Sequence, residues 1–276
     1  MVALTNINDA PRLTRYLVEN KLIHLSVIDI GARDGFAPYW WHYKGCLDII
    51  GFDPDSQQEK LSKGHCKAKA LSGDGKERTF YVIRYPGSSG FYPPNIKFTD
   101  RLQNRDYLNI IDTVELQTIT LDSLKLAPDF IKLDTEGSEL EILQGGAETL
   151  KHALGVSVEV GFNELFKGQP LFRDVDVWLS KQGFTLYDLA TSRLSRMQPG
   201  KTGMSSKNEG QLIVGQALYF RDIYPARDAY DTVTILKLAS LFELFNLQDC
   251  AFELLSNTGN DNYLEYLKDE KIPVMV

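Results

Sequence analysis

The stretch FIKLDTEGSELEILQGG, residues 130–146, carries four carboxylates close together: Asp134, Glu136, Glu139 and Glu141. The apolar run before Asp134 predicts a strand, and the spacing of the leucines after it predicts a helix. Since ligands of open α/β sheets bind outside the carboxyl ends of the strands, Asp134 is expected to face a ligand crevice, and Glu136 to point at a second molecule. Ser138 and Glu141 have the spacing of a capping box, and Glu139 suits a positive helix N-terminus, so these three are expected to be structural.

A further acid, Glu159, lies near the end of the apolar run GVSVEV, residues 155–160. The run predicts the next buried strand of the sheet, which brings Glu159 near Asp134, and an acid in such a strand has few structural roles. Closely spaced carboxylates raise one another's pKa, which suits a general base. A divalent cation held by these acids is the alternative. Hard cations need more oxygen ligands than the sequence identifies, so no metal site is predicted.

A glycine-containing turn, VIDIGARDGF at residues 27–36, follows an earlier apolar run. Asp29, Gly31 and Gly35 form the pattern Asp-x-Gly-x-x-x-Gly, in which glycines allow a tight turn and the close approach of a ligand. The pattern lacks the Gly-x-Gly-x-x-Gly of a dinucleotide site, which argues against a nicotinamide enzyme. In GFDPD, Asp53 ends the next strand, at the place from which an acid hydrogen-bonds a ribose hydroxyl. Turns without a ligand are the alternative at both places.

Six stretches of the chain, in their order between about residues 25 and 222, resemble FkbM-type S-adenosylmethionine-dependent methyltransferases: VIDIGARDG, GFDPD, KALSGDGKERTFYV, TITLDSL, FIKLDTEGSELEILQGG and VSVEVGFNELFKG. The resemblance implies a class I methyltransferase fold, an α/β Rossmann-like domain with a seven-stranded sheet whose last strand is antiparallel. It also implies methyl transfer mostly to hydroxyl groups, often of sugars or natural products. IKLDTEGSELEILQGG is its most specific part.

The resemblance also implies which residues surround the cofactor, S-adenosylmethionine: Asp29, Gly31 and Gly35 at the methionine end, Asp53 at the ribose, Ser72 and Asp74 near the adenine, and Asp134 facing the crevice. The chain departs from many members of the family at Arg33-Asp34, where those proteins carry an Asn-Ile or similar pair. No direct cofactor contact is therefore assigned to these two residues.

A methyl group on a sulfonium is already electrophilic, so such an enzyme mainly aligns the acceptor oxygen, the methyl carbon and the sulfur. A neutral alcohol attacks poorly unless a carboxylate within hydrogen-bond reach removes its proton. Glu136 and Glu159 are the first candidates for this catalytic base, and Asp134 is the alternative. That the three carboxylates only hydrogen-bond the cofactor or the backbone stays open as well.

The elements that position these residues read as alternating strands and helices. Seven core strands are predicted, near residues 25–30, 47–53, 66–71, 129–134, 155–160, 184–188 and 211–220. Two further β-rich stretches, 79–84 and 113–120, flank a loop rich in Gly, Ser and Pro and predict an inserted hairpin or edge feature that covers a site. The polar residues 195–210 predict a linker, and after Pro225 an apolar stripe predicts a helical hairpin. The domain prediction is a helical lead-in at 1–24, a methyltransferase domain at 25–223 and a helical extension at 224–276.

Composition limits the partners. The 276 residues carry 30 Lys and Arg against 37 Asp and Glu, a net charge of −7, which argues against nucleic acids and anionic membranes as partners. An odd number of widely spaced cysteines and the lack of a signal peptide or membrane span predict a soluble cytoplasmic protein. The expected partner is a small-molecule or glycan acceptor, and the helical tail leaves a homodimer open. A scaffold that binds the cofactor without catalysis is the alternative to an enzyme.

Overall fold

A computed structural model describes residues 10–62, 65–103, 105–196, 210–222 and 230–267 of the chain. Its strands, in chain order, are β1 Leu25–Ile30, β2 Leu47–Asp53, β3 Cys66–Ala68, β4 Ala70–Leu71, β5 Glu77–Ile83, β6 Ile110–Ile119, β7 Phe130–Leu133, β8 Gly155–Gly161, β9 Phe184–Leu194 and β10 Gln211–Arg221. Its α-helices are α1 Arg12–Glu19, α2 Ser56–Leu61, α3 Ile96–Thr99, α4 Glu139–Gln144, α5 Ala147–Leu150, α6 Phe172–Lys181, α7 Thr232–Leu244 and α8 Gln248–Asn257. The predicted linker at 195–210 lies mostly outside the described residues.

The main sheet has seven strands in the spatial order β3-β2-β1-β7-β8-β10-β9. The pairs β2–β3 and β7–β8 are parallel, whereas β10 runs antiparallel to both β8 and β9. The central strands are near-continuous apolar runs because helices cover both faces of such sheets. This arrangement confirms the predicted class I methyltransferase fold, with seven strands and an antiparallel last strand.

One predicted strand, at residues 66–71, is divided in the structure. β3 pairs with β2 in the main sheet, whereas β4 pairs in parallel with β6 in a separate sheet of order β4-β6-β5. The division falls at Lys69, whose backbone N–H donates 3.1 Å to the Asp53 carbonyl as the chain leaves β2. Both halves are apolar, so composition alone does not reveal the division.

The predicted hairpin is present and consists of β5 and β6. The two strands are antiparallel from Glu77–Gln117 to Ile83–Ile110, with a register shift after Val82. Both strands are longer than the sequence predicts. Residues 84–109 connect them as a loop that contains α3. The predicted inserted hairpin is therefore confirmed.

Two compact units divide the chain, and the larger one contains residues 28–35 and 50–221. Its core lies between the sheet and the helices α4, α5 and α6 and is built from fully buried side chains such as Ile131, Leu133, Val158 and Leu179. The carboxyl ends of β7 and β8 are thereby held in fixed register, with Leu133 paired to Val158. The acids that follow these strands belong to this unit.

The smaller unit contains residues 1–27, 36–49 and 222–276, of which part is described. Here the helical pair α7 and α8 confirms the predicted C-terminal helical hairpin. The buried carboxylate of Glu243 in α7 accepts the backbone N–H groups of Leu13 and Thr14, at 2.9 and 2.7 Å, and so caps α1. The boundaries at 24 and 223 stay predictions, as does the homodimer. Within the described residues, no helix has the length and apolarity needed to cross a membrane.

Candidate active site

The turn after β1 is held against the end of β7. Gly31 has φ +81°, its N–H donates 2.9 Å to the Phe52 carbonyl, and the Asp134 N–H donates 3.0 Å to the Ile30 carbonyl. A Cβ built on Gly31 would lie 1.8 Å from the Asp134 carbonyl oxygen. Only glycine fits a backbone this close and in this conformation. The Asp-x-Gly spacing thus brings the first turn to Asp134.

A cavity of about 750 Å³ opens at the carboxyl ends of β1, β2 and β7. Five of the residues predicted from the sequence line it: Gly31, Asp53, Asp134, Glu136 and Glu159. Its volume falls in the range of roughly 300–1,000 Å³ that is common for small-molecule sites. The structure therefore brings the candidate base residues and the candidate ribose-binding acid into one cavity.

The hairpin and its loop form the opposite wall. Phe80 and Val82 of β5 and Val114 and Leu116 of β6 line the cavity, which follows from the alternation of side chains along a strand. Residues 85–91 of the loop contribute further lining. The predicted cover over a site is therefore present, and it supplies apolar side chains to the cavity wall.

Arg78 fastens this wall to the helix after β7. Its guanidinium forms an ion pair with Glu141 of α4 and lies 4.9 Å from the ring centroid of Phe91. Burial lowers the pKa of the Arg78 guanidinium, but its ion pair and hydrogen bond with Glu141 have a larger opposite effect, so the pKa is raised. Glu141 therefore serves as an anchor for the hairpin.

The predicted capping box is wrong. Ser138 makes no side-chain cap and has φ −92° and ψ 0°, outside the extended conformation in which an N-cap side chain reaches forward. The carboxylate of Glu139 instead accepts the N–H of Thr135 at 2.6 Å and that of Gly137 at 3.1 Å. Glu139 has a structural role, as predicted. Besides lying in the first turn of α4, its carboxylate stabilises the turn that carries Glu136.

Asp134, Glu136 and Glu159 form the acidic centre of the cavity. One carboxylate oxygen from each lies within 4.8 Å of the other two. Asp134 and Glu159 follow the paired residues Leu133 and Val158, so their proximity is set by strand register. Glu136 reaches the group through a backbone with φ +58°, which is rare for a non-glycine residue.

Burial raises the pKa of both Glu136 and Glu159 well above the ordinary glutamate range. For Glu136 the negative charges of Asp134 and Glu139 add to this effect, and a hydrogen bond with Ser88 opposes it. For Glu159 the charges of Glu136 and Asp134 add to it, and Lys132 opposes it. Carboxylates in this state accept protons readily, as a general base must. Their mutual distances also suit a bound cation, the alternative weighed above.

Sequence analysis missed Lys132, the cation that contacts Asp29 and Asp134. Its Nζ lies 3.2 Å from Asp29 Oδ1 and 3.5 Å from Asp134 Oδ2. Burial lowers the pKa of Lys132, but Asp29 and Asp134 outweigh it and leave a net rise. Asp29 is only 2% exposed and does not line the cavity, so its observed contact is with Lys132. A lysine inside the apolar run FIKL was the signal that could have identified this residue.

Asp53 lies where the resemblance implied, at the end of β2 in the cavity wall. It is 6% exposed and accepts the Asp55 N–H at 2.8 Å. Burial raises the pKa of its carboxyl, against the effect of the Asp55 N–H and the charge of Arg33. Gly35, with φ +99°, does not line the cavity, and a Cβ there would meet open space.

Ser72 and Asp74 are not brought to the cavity. The Ser72 hydroxyl lies 2.7 Å from Thr118 Oγ1 and accepts the Gly75 N–H at 3.0 Å, and Asp74 pairs with Lys76 at 3.0 Å. This turn packs on α4 so closely that a Cβ on Gly145 would lie 2.7 Å from the Gly73 carbonyl oxygen. The implied contacts of Ser72 and Asp74 with adenine find no support in this position. The cavity is instead lined here by Lys69, Ala70 and Leu71.

Ser138, expected from the sequence to cap a helix, contributes a polar atom to the cavity wall instead. Its hydroxyl is fully buried in the cavity wall and has no hydrogen-bond partner among the described residues. Buried hydroxyls are nearly always hydrogen-bonded, so this one indicates a polar ligand in the cavity.

A second cavity, of about 670 Å³, lies on the other side of the acids. Glu136, Glu159 and Tyr85 line both cavities. The arrangement can therefore bring two molecules to one pair of carboxylates.

The chain is similar to a known protein family and to several solved structures. Residues 29–186 match the model of the methyltransferase FkbM domain. Among solved structures, the chain is similar to methyltransferase FkbM from Methylobacillus flagellatus KT, with 13% identity and a TM-score of 0.37 over 71% of this chain and 43% of that chain. It is also similar to magnesium protoporphyrin IX methyltransferase from Synechocystis PCC 6803 with bound S-adenosylmethionine, with 11% identity and a TM-score of 0.35 over 76% of each chain. The match thus spans less than half of the first protein. No curated protein matches the chain in sequence.

Proposed function

We propose that this chain, which belongs to the FkbM methyltransferase family, transfers the methyl group of S-adenosylmethionine to a hydroxyl group of a sugar, a glycan or another natural product. The observation that carries the proposal is the pair Glu136 and Glu159, which lines two adjoining cavities. One cavity has the ribose-binding acid of the cofactor site, and the other leaves room for an acceptor.

The cofactor of the family is S-adenosylmethionine, and the residues of the first cavity fit it. Asp53 offers a buried carboxylate to a ribose diol, and Ser138 offers a hydroxyl that lacks a partner among the described residues. The hairpin wall offers apolar surface to a flat base. When bound, the cofactor supplies an electrophilic methyl group on a sulfonium. Negative charge from Asp134, Glu136 and Glu159 suits a cationic ligand of this kind.

Glu159 and Glu136 are the residues proposed to take the proton of the acceptor hydroxyl. Both carboxylates have a raised pKa because of burial and of neighbouring negative charges, so each binds a proton more strongly than an exposed glutamate. Asp134 suits this role less well, since Lys132 Nζ lies 3.5 Å from its carboxylate and balances the charge. Lys132 and Asp29 thereby hold Asp134 in place beneath the reactants.

The test is methyl transfer from S-adenosylmethionine with a radiolabelled methyl group to a panel of hydroxylated acceptors, including free sugars, aryl glycosides and phenols. The proposal predicts label in an alkali-stable ether, together with release of S-adenosylhomocysteine. An alkali-labile ester would contradict transfer to a hydroxyl. Binding of the cofactor with no transfer to any member of the panel would favour the scaffold alternative. Loss of transfer after chelator treatment would favour a cation held by the three acids.

A further inference from the structure

The second cavity has two large aromatic side chains at its opening. Tyr85 and Tyr107 line it, and their side chains are 59% and 57% exposed. The Tyr85 N–H donates 2.9 Å to the Tyr107 carbonyl, which holds the two residues side by side. Exposed aromatic rings at a cavity mouth favour contact with the flat face of a ring or with an apolar group.

A positively charged side chain also lines this cavity. Arg193 lies there near the end of β9. The chain beyond it pairs with the segment after α3, through a β-bridge between Leu102 and Arg196 and a 2.9 Å hydrogen bond from the Gln103 N–H to the Ser195 carbonyl. Leu102, Gln103 and Ser195 of this pairing line the cavity beside Arg193, whereas Arg101 and Arg196 belong to the same pairing but not to the cavity lining.

No carboxylate among the described residues neutralises these arginines. None of the three has an acidic oxygen within 4.0 Å in that part of the chain, although the protein as a whole carries a net charge of −7. Burial lowers the pKa of Arg196, and the like charge of Arg101 lowers it further. Arg193 therefore presents its positive charge to the cavity without an acidic partner in the described ranges.

Arg196 also carries a buried nitrogen with no hydrogen-bond partner among the described residues. Its guanidinium lies 5.1 Å from the ring centroid of Phe98, and the nitrogen concerned is Nη1. Within the part of the chain that the structure describes, the Arg193 side chain donates one weak hydrogen bond, of 3.3 Å, to the Gly210 carbonyl. Donors remain on both residues for an anion, and guanidinium groups bind carboxylate and phosphate oxygens in pairs.

From these observations we infer that the second cavity binds an acceptor that carries an anionic group, a carboxylate or a phosphate monoester, and that Arg193 is the residue that selects it. The inference rests on the proposed function, because it places the acceptor hydroxyl at Glu136 and Glu159. The tyrosines contact the ring or apolar part of the acceptor.

The experiment compares two probes that differ in one group. The probes are p-nitrophenyl β-glucuronide and p-nitrophenyl β-glucoside, which share the aryl group and the ring hydroxyls, and p-nitrophenyl phosphate serves as a third. Calorimetric titrations use the full chain saturated with S-adenosylhomocysteine, as wild type, Arg193→Gln and a matched control, Arg173→Gln. Arg173 is a 78% exposed arginine of α6.

The wild type is expected to bind the glucuronide about tenfold more tightly than the glucoside, the size of one charge-assisted hydrogen bond. Arg193→Gln should remove this preference, Arg173→Gln should keep it, and added salt should weaken only the anionic probes. Equal binding of both glycosides, a preference that persists in Arg193→Gln, or no binding of any anionic probe would overturn the inference.

A separate titration with S-adenosylmethionine distinguishes the two proposals. Binding of the anionic probes without binding of the cofactor would contradict only the proposed methyltransferase function. Binding of the cofactor without binding of the anionic probes would contradict only the proposed anion site.

Discussion

Glu136 and Glu159 are buried beside other acids, so ionisation of their carboxyl groups is unfavourable and their affinity for a proton is high. Burial and neighbouring acids raise the pKa of both carboxyls, and Lys132 balances the charge of Asp134 beside them. Groups perturbed in this way are common at catalytic centres because a base must hold a proton that it has taken. The proposed chemistry at this scale involves three acids and one lysine.

At this scale the first prediction concerns Glu159→Gln, which removes a base while keeping the shape of the side chain. We expect kcat for methyl transfer to fall by about 10²–10⁴-fold, the usual contribution of a general base, with an unchanged Kd for S-adenosylmethionine. The wild-type rate should rise with pH through the raised pKa and then level off, and the variant should lose this dependence. Glu148→Gln, at a 73% exposed site, is the matched control. A kcat within about twofold of wild type would assign the base elsewhere.

The same residue should make stability depend on pH. Its pKa is raised in the folded protein, so its contribution is fully present below the ordinary glutamate pKa and is lost as the pH rises through the raised value. Glu159→Gln should therefore raise Tm at pH 8 and change it little at pH 4, by thermal unfolding. A variant that is less stable than wild type at pH 8 would show that the carboxylate is a stabilising group there.

Strand ends and tight turns bring these residues together. The register of β7 and β8 sets Asp134 beside Glu159, and the turn after β1 approaches β7 so closely that only glycine fits at its first position. Sequence reasoning identified this part because parallel strands end at one edge of a sheet.

At the scale of the element, Gly31→Ala tests the turn. The added methyl group meets the Asp134 carbonyl oxygen at 1.8 Å, and the backbone has φ +81°. We expect the free energy of unfolding to fall by more than about 2 kcal/mol and the Kd for S-adenosylmethionine to rise, by chemical denaturation and calorimetry. Gly35→Ala is the control, since its φ is also positive but its Cβ meets open space, and it should lose only about 1 kcal/mol. Equal losses in the two variants would mean that the close contact at Gly31 does not matter.

Other elements were beyond sequence reasoning for physical reasons. The predicted capping box is wrong because the carboxylate of Glu139, and not the hydroxyl of Ser138, accepts hydrogen bonds from the N–H groups of the turn. The cavity wall on β5 and β6 depends on a long-range contact of Arg78 with Glu141, and local pattern does not report such contacts. The contacts of Ser72 and Asp74 with adenine, implied by the resemblance, stay predictions, and the turn that carries these residues packs against the end of α4.

For the whole molecule, the chain consists of two compact units, and the cofactor cavity is lined only by residues of the larger one. The smaller unit joins α1 to α7 through the buried carboxylate of Glu243. Sequence analysis predicted the helical pair from its apolar stripe, but it did not predict that this pair binds the N-terminal helix, since nothing local links residues so distant in the chain.

We expect Glu243→Ala to lower the stability of the protein without changing its affinity for the cofactor. It leaves the N–H groups of Leu13 and Thr14 without their acceptor, which costs about 1–3 kcal/mol for each group that stays buried, whereas the Thr14 hydroxyl keeps the Ser240 carbonyl at 3.4 Å. We expect a lower Tm with an unchanged Kd for S-adenosylmethionine at 15 °C, by calorimetry on the folded variant. A matching loss of cofactor affinity would mean that the smaller unit supports the cavity.

The most direct test of the whole account is a calorimetric titration of S-adenosylmethionine into the wild type, Asp53→Asn and Asp48→Asn. Asp53 is buried at the end of β2 in the cavity wall, whereas Asp48, on the same strand, is 80% exposed. The account predicts saturable binding to the wild type and Asp48→Asn, and about tenfold or greater weakening in Asp53→Asn, from the loss of hydrogen bonds to a charged acceptor. No binding to folded wild-type protein, or equal binding by all three proteins, would contradict it.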